Sequence, residues 1–205
     1  TGTAHVWISN DSGNRTIVAN QCHWDGVALS SDDIAALRDC RILHLDGTGG
    51  QLAVQAAQIV RRNGGTVFVD AGSPKVATAQ LIELADVFSF PERFARQFFG
   101  IDDVTRAGQK VLEMGARATI CTQGERGAIV FDSDVMTRIP AVEVVTVDST
   151  GAGDVFCGGV LAGLLQGHDL HQASKFGAAA AAFKCQHVGN RDGLPEFNDI
   201  IKSLE

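Results

Sequence analysis

The sequence predicts an α/β fold with a mostly parallel sheet and helices on both faces. From residue 30 onward, short β-rich runs alternate with helical runs, the order that parallel sheets require because each crossover needs a helix. The helical runs carry their own end signals, serine or proline at the start and glycine at the end. No fixed-period repeat or low-complexity tract interrupts the pattern.

Only the opening segment departs from the alternation. "AHVWIS" and "RTIVAN" are β-rich, and "NDSGN" between them is turn chemistry, so residues 4–20 should project as a hairpin apart from the main sheet. "SSDDIAALRDC" follows, with a serine N-cap and acids in its first turn, and should be a helix. "RILHL" is a short strand, and "GGQLAVQAAQIVRRNGG" a helix closed by glycines. "TVFVD" is a strand with alternating or continuous burial, and "PKVATAQLIELA" a helix with Pro74 at its start. "DVFSF" is a weak strand, "PERFARQFF" a short helix and "DVTRAGQKVLEMG" a longer one. The strands "ATICT", "AIVFD" and "VEVVTV" come next. Three helices finish the chain, over 153–166, 170–186 and 195–204. The run "GAAAAAFKC" is alanine-rich because alanine is the best helix former and packs closely, not because it is a linker.

The chain has 205 residues, enough for one domain with a sizeable core, and its 45% hydrophobic and 20% charged content is that of an ordinary globular protein. A formal charge of −7 argues against a nucleic-acid partner. It leaves room for a small anion held by backbone N–H groups. No apolar run spans a bilayer and the N-terminus lacks signal-peptide form, so no membrane partner is expected. Cys22, Cys40, Cys121, Cys157 and Cys185 show neither zinc nor CxxC spacing. They read as reduced thiols in a cytoplasmic protein. The six histidines show no zinc spacing either.

The informative stretch is "DSTGAGDVFCGG", residues 148–159. Placed after the strand "VEVVTV", it is a turn of small residues entering a helix, and ligands in parallel α/β sheets sit beyond such strand ends. Gly151, Ala152 and Gly153 would present unpaired N–H groups to an anion at the positive end of the helix dipole. Asp154 follows immediately, where a bound anion would repel it. That placement suits a base that takes a proton from an alcohol attacking a phosphoryl group. The competing interpretation is that Asp154 complements the dipole and the glycines only close a tight turn. A dinucleotide fingerprint fails because Phe156 stands at its third glycine, and no GK[ST] P-loop occurs.

The string "DSTGAGDVFCGGVLAGLLQG" resembles the C-terminal signature of the ribokinase-like (PfkB) carbohydrate kinases, D-T-[TA]-G-A-G-D-x-F. "TQGERGA" resembles that family's T-x-G-x-x-G turn over the ATP phosphates, "GNRTIV" a returning strand of its β-lid, and "FGAAAAAFKCQHVGNRDGLP" its adenine-side helix and closing loop. The resemblance implies a ribokinase-like fold with a partial lid over 1–22 and an α/β nucleotide-binding and catalytic core over 23–205. It also implies that the family's N-terminal strands and most of its sugar contacts lie outside this sequence, which would leave sheet edges exposed. By the same resemblance Asp154 is the base, and Gly151, Ala152 and Gly153 form the anion hole. Thr122, Gly124 and Gly127 flank the nucleotide phosphates, and Ala178 lines the adenine site. A monovalent cation, K⁺, would lie near Asp148, Thr150, Lys184, His187, Gly189 and Gly193, mostly on carbonyls. ATP would bring Mg²⁺. The acceptor would be a small sugar, with a homodimer through the lid.

One departure stands out. The family's short helix carries N-x-x-E, whose acid orders water around Mg²⁺, and here the run is "FSFPERFARQ", with Glu92 its only acid and out of register. Sulfofructose-kinase-like members also lack the motif. Asp46 and Asp70 end strands at the presumed ligand edge, as site groups or as turn and cap residues. His23 and Trp24 read as substrate contacts or as packed loop aromatics, and Arg126 as surface charge beside the phosphate turn. Three activities stay open: a sugar kinase, a nucleoside kinase of the same fold, and a non-catalytic nucleotide-binding relative.

Overall fold

The computed structural model describes all residues except 1–2, 9–14, 21–23, 25, 133–134, 190, 192 and 205. The hairpin turn at 10–14 and the residues Cys22 and His23 therefore lie outside the described residues.

Strands β1 (Thr3–Ile8) and β2 (Arg15–Asn20) pair antiparallel as a sheet of their own, Thr3 opposite Asn20. The main sheet has six strands in sequential order: β3 (Ile42–Leu45), β4 (Thr66–Asp70), β5 (Val87–Pro91), β6 (Ala118–Thr122), β7 (Ala128–Asp132) and β8 (Val135–Ile139). The pairs β3–β4, β4–β5 and β5–β6 are parallel, and β6–β7 and β7–β8 antiparallel. The helices are α1 (Ser31–Arg38), α2 (Gln51–Arg62), α3 (Thr78–Leu84), α4 (Glu92–Phe99), α5 (Val104–Glu113), α6 (Ala152–Leu165), α7 (Leu170–Cys185) and α8 (Phe197–Leu204).

Strand alternation divides the core in two. Val67, Val69, Phe88, Phe90 and Cys121 face one side, where α2 to α5 supply Val60, Leu81, Ile82, Phe94 and Val111. Phe68, Val87, Ile120 and Val130 face the other, covered by Phe156, Cys157 and Val160 of α6 and by Ala173 and Ala178 of α7. Each strand residue takes the side that the two-residue period assigns it. Helix starts follow local chemistry where a cap exists. Ser30 and Asp33 form a reciprocal capping box on α1, and Asp103 and Asp169 accept first-turn N–H groups of α5 and α7.

Two expectations are corrected. The run "VEVVTV" is not a strand. The final sheet position belongs to β8, "VMTRI", which pairs in full with β7. Residues 141–146 instead leave the sheet, with Val142 41% and Val145 84% exposed, so a β-branched run here has no pleated surface to pack on. The helix expected from Pro74 begins only at Thr78, whose Oγ1 accepts the N–H of Lys75 in a preceding turn. Cys121 and Cys157 are buried and Cys40 and Cys185 half-buried, all four as free thiols. Among the described residues no helix is long and apolar enough to cross a membrane.

Candidate active site at the N-terminus of α6

The start of α6 lies between two regions of different character. On one side is a cleft of about 910 Å³, lined by Gly124, Glu125 and Gly127 of the β6–β7 turn, by 141–144, by Ala152, Gly153 and Phe156 of α6, and by Ala178, Ala181, Ala182 and Cys185 of α7. Its size is that of a nucleotide-sized pocket. On the other side are the carboxyl ends of β3 and β4, which carry His44, Asp46 and Asp70. The charge of Asp154 acts on both His44 and Asp70, so its carboxylate lies within electrostatic reach of this second side.

The turn into α6 leaves some of its N–H groups without a backbone acceptor among the described residues. Gly151 adopts φ 77°, a left-handed conformation that a side chain would strain. Ala152 N–H is taken by Ser149 O at 3.2 Å, so it does not point freely at a ligand, contrary to the three-donor anion hole expected. Among the described residues, Gly153 N–H has no backbone acceptor outside its own helix. A methyl on Gly153 would meet no atom within 4 Å, and its φ is ordinary, so neither packing nor backbone geometry requires glycine there. The tight-turn interpretation therefore holds for Gly151 and fails for Gly153. Asp154 is exposed in the first helical turn.

The β6–β7 turn is positioned by two devices. Gly127, at φ 82°, lies under the chain leaving β8, and a methyl on it would stand 2.0 Å from Ile139 O. Its glycine is thus a crossing requirement, although the residue also lines the cleft. Gly124 has open space around it. Thr122 ends β6 half-buried, opposite Pro91 and Ala128, and does not line the cleft. The second device was hidden in the sequence. Glu92 accepts hydrogen bonds from Gln123 Nε2 at 2.8 Å and from the Arg126 guanidinium. The acid that stands out of register for a metal role anchors the turn, and Arg126 is its ion-pair partner.

The acidic edge is heterogeneous. Burial raises the Asp46 carboxyl, but hydrogen bonds from Thr48 together with Lys75 outweigh it and leave the group below its ordinary value. Burial, and next the neighbouring Asp154, push Asp70 up to about 6, against a smaller lowering by Cys157 and Arg93. His44 is lowered by burial, against the pull of Asp46 and Asp154. Burial also raises Cys157, whose Sγ donates to Ser89 Oγ at 3.5 Å.

The loop before α6 is tied to the end of α7. Val147 N–H and Asp148 N–H both donate to Cys185 O, at 2.7 and 3.2 Å. The Asp148 carboxylate accepts Thr150 N–H at 2.8 Å and Gly189 N–H at 3.1 Å, and these hydrogen bonds, Thr150's first, hold it well below the usual carboxylate range. Lys184, fully buried, donates from Nζ to Asp148 O at 2.6 Å. His187 is exposed, its Nδ1 3.2 Å from Phe183 O, and a methyl on the buried Gly193 would stand 2.8 Å from the His187 ring. The residues expected around a monovalent cation are thus brought together, but the Asp148 carbonyl is already given to an ammonium. Among the described residues no group of three or more His, Cys, Asp or Glu is placed to hold a metal ion.

Comparison with known proteins gives a consistent picture. The family model described as pfkB family carbohydrate kinase matches residues 1–196. An ATP-dependent 6-phosphofructokinase of Thermoanaerobacterium thermosaccharolyticum is 36% identical over 124 residues, 60% of this chain and 38% of its own length. A ribokinase of Haemophilus influenzae is 26% identical over 215 residues, 100% of this chain and 69% of its own. The crystal structure of a ribokinase from Thermotoga maritima superposes with a TM-score of 0.85 at 25% identity, covering 100% of this chain and 69% of that one.

Proposed function

Since the chain belongs to the pfkB family of carbohydrate kinases, we propose that it carries the nucleotide site and the catalytic base of an ATP-dependent kinase acting on a hydroxyl of a sugar or sugar derivative. The observation that carries this reading is the position of Asp154 and Gly153 between the cleft and the acidic strand ends. A nucleotide in the cleft and an acceptor over β3 and β4 would meet at one point, the start of α6. The ATP dependence of the related phosphofructokinase and the sugar named in the related ribokinases support this choice of substrates.

In this reading the nucleotide lies along Gly124, Gly127 and the α7 alanines, with Ala178 on its base side. The γ-phosphoryl group sits on the N–H groups of Gly151 and Gly153, which stabilise the charge on its oxygens during transfer. Asp154 accepts the proton of the attacking hydroxyl, the new P–O bond forms to that oxygen, and the bond to the β-phosphate breaks to release ADP. Mg²⁺ bound to the ATP phosphates supplies charge neutralisation. With no acid at the N-x-x-E position, the protein's part is to hold the turn over the phosphates through Glu92, Gln123 and Arg126. The β1–β2 hairpin acts as part of a lid on the acceptor side.

The test is phosphotransfer from ATP across a panel of sugars, sugar acids and nucleosides, with and without Mg²⁺. Transfer to a sugar that requires Mg²⁺ is expected, and Asp154→Asn should lower kcat by about 10²–10⁴-fold with an unchanged Tm. Full activity in Asp154→Asn removes the base assignment. Transfer only to nucleosides reassigns the acceptor, and tight ATP binding without transfer to any acceptor identifies a non-catalytic relative.

A further inference from the structure

Among the described residues Lys184 is the one buried charged side chain, and it has no place in the proposed phosphotransfer chemistry. It lies in the last turn of α7 at 0% exposure. Its Nζ donates to Asp148 O at 2.6 Å and stands 3.5 Å from Asp148 Oδ2. Around it, the loop 147–150 and the segment 184–189 are knitted together. Cys185 O accepts two N–H groups from the loop, Gly189 N–H reaches back to the Asp148 carboxylate, and Lys184 O accepts His187 N–H at 3.1 Å. An ammonium buried this fully is stable only where oxygen partners compensate its lost hydration, and Asp148 supplies both of them.

A monovalent cation expected on this loop would use the Asp148 carbonyl. That oxygen is occupied, and an inorganic cation sharing it would stand beside the Lys184 ammonium at ion-contact range, where like charges in a dry site repel strongly. The residues present therefore do not fit K⁺. We propose that the Lys184 side chain is a tethered replacement for that cation, clamping the loop that leads into the anion-binding turn, so that this protein needs no monovalent cation.

This inference rests on the kinase reading only for its activity arm, so its main measurement is binding and stability. The chain is placed in N-methylglucamine chloride and titrated with KCl at constant ionic strength. Tm and ATP affinity should not change, and ²⁰⁵Tl NMR should show no bound thallous ion that K⁺ displaces. A bound, K⁺-displaceable thallium signal, or a Tm that climbs with K⁺, overturns the proposal. Lys184→Met should lose about ten-fold or more in ATP affinity in N-methylglucamine and regain it in KCl or NH₄Cl, because the emptied position now accepts a free cation. Lys184→Gln provides the same measurement if the methionine variant does not fold. A variant that binds ATP equally well in both media shows that the ammonium has no such role. Absence of phosphotransfer in the unmodified chain, with these binding results intact, counts against the kinase reading alone.

Discussion

The two ends of α6 use the same residue type for opposite purposes. At its start, a methyl on Gly153 would meet nothing within 4 Å. Two turns on, a methyl on Gly159 would stand 2.8 Å from Gly177 Cα and 2.9 Å from Phe176 O, and one on Gly163 2.8 Å from Ala173 Cα. Gly177 answers from α7, where a methyl would lie 2.7 Å from Phe156 O. The first glycine borders open space. The others remove the space between two helices. A run of small residues therefore has no single meaning, and the neighbouring backbone decides which meaning applies.

The comparison can be broken by substitution at each end. The largest effect is expected at the open end. Gly153→Val keeps the N–H but puts a side chain where the phosphoryl group is proposed to sit, and should reduce kcat by about 10²–10³-fold, as much as losing an oxyanion donor, while Tm stays put. An equal loss of stability would show that the start of α6 is packed after all. Gly159→Ala should do the reverse. Forcing a methyl between the helices should cost about 1–3 kcal/mol, read by denaturant unfolding, with kcat per folded molecule retained.

A smaller effect sharpens the electrostatic side of the open end. Asp70 has its carboxyl raised from 3.8 to about 6 by burial and by Asp154. Between those values the folded protein binds more protons than the unfolded chain, so stability should fall as pH rises through that window and stay low above it. Asp70→Asn should remove this slope and leave the protein more stable at neutral pH, by roughly 1–2 kcal/mol. A flat pH profile in the unmodified protein would mean that Asp70 is not strained by its neighbours. The smallest effect belongs to Glu92. Glu92→Gln leaves an acceptor for Gln123 and removes only a partly exposed ion pair with Arg126, worth about 0–1 kcal/mol. It should raise KM for ATP slightly with kcat unchanged. A collapse of kcat would instead assign Glu92 a metal-binding role.

Most of the fold was legible because its signals are local. The Ser30 cap, the Gly-closed α2 and the apolar strands β4 to β7 each declare themselves within a few residues. The DSTGAGD string was legible for the same reason. What failed was non-local. "VEVVTV" has strand composition, but β8 had already taken the sheet edge, and Val147 N–H bonds to Cys185 O on α7 instead. Glu92 lies 31 residues from Gln123 and 34 from Arg126, and no periodicity links them. Lys184 belongs to the presumed cation loop by sequence, but only its place on α7 brings its ammonium to the Asp148 carbonyl. The crossing requirement at Gly127 is also non-local, because only the fold brings Ile139 O to where a side chain would stand.

The glycine-mediated closeness of α6 and α7 has a consequence for entropy. Helices whose backbones touch have little freedom to slide or tilt, because interiors packed at this density deform poorly. The N–H groups at the start of α6 are therefore fixed in direction before any anion arrives. A flexible loop would have to be ordered at the moment of binding, and that loss would be subtracted from the affinity. Here the ordering is completed when the chain folds, so under the proposed function a phosphoryl group would meet dipoles already at rest.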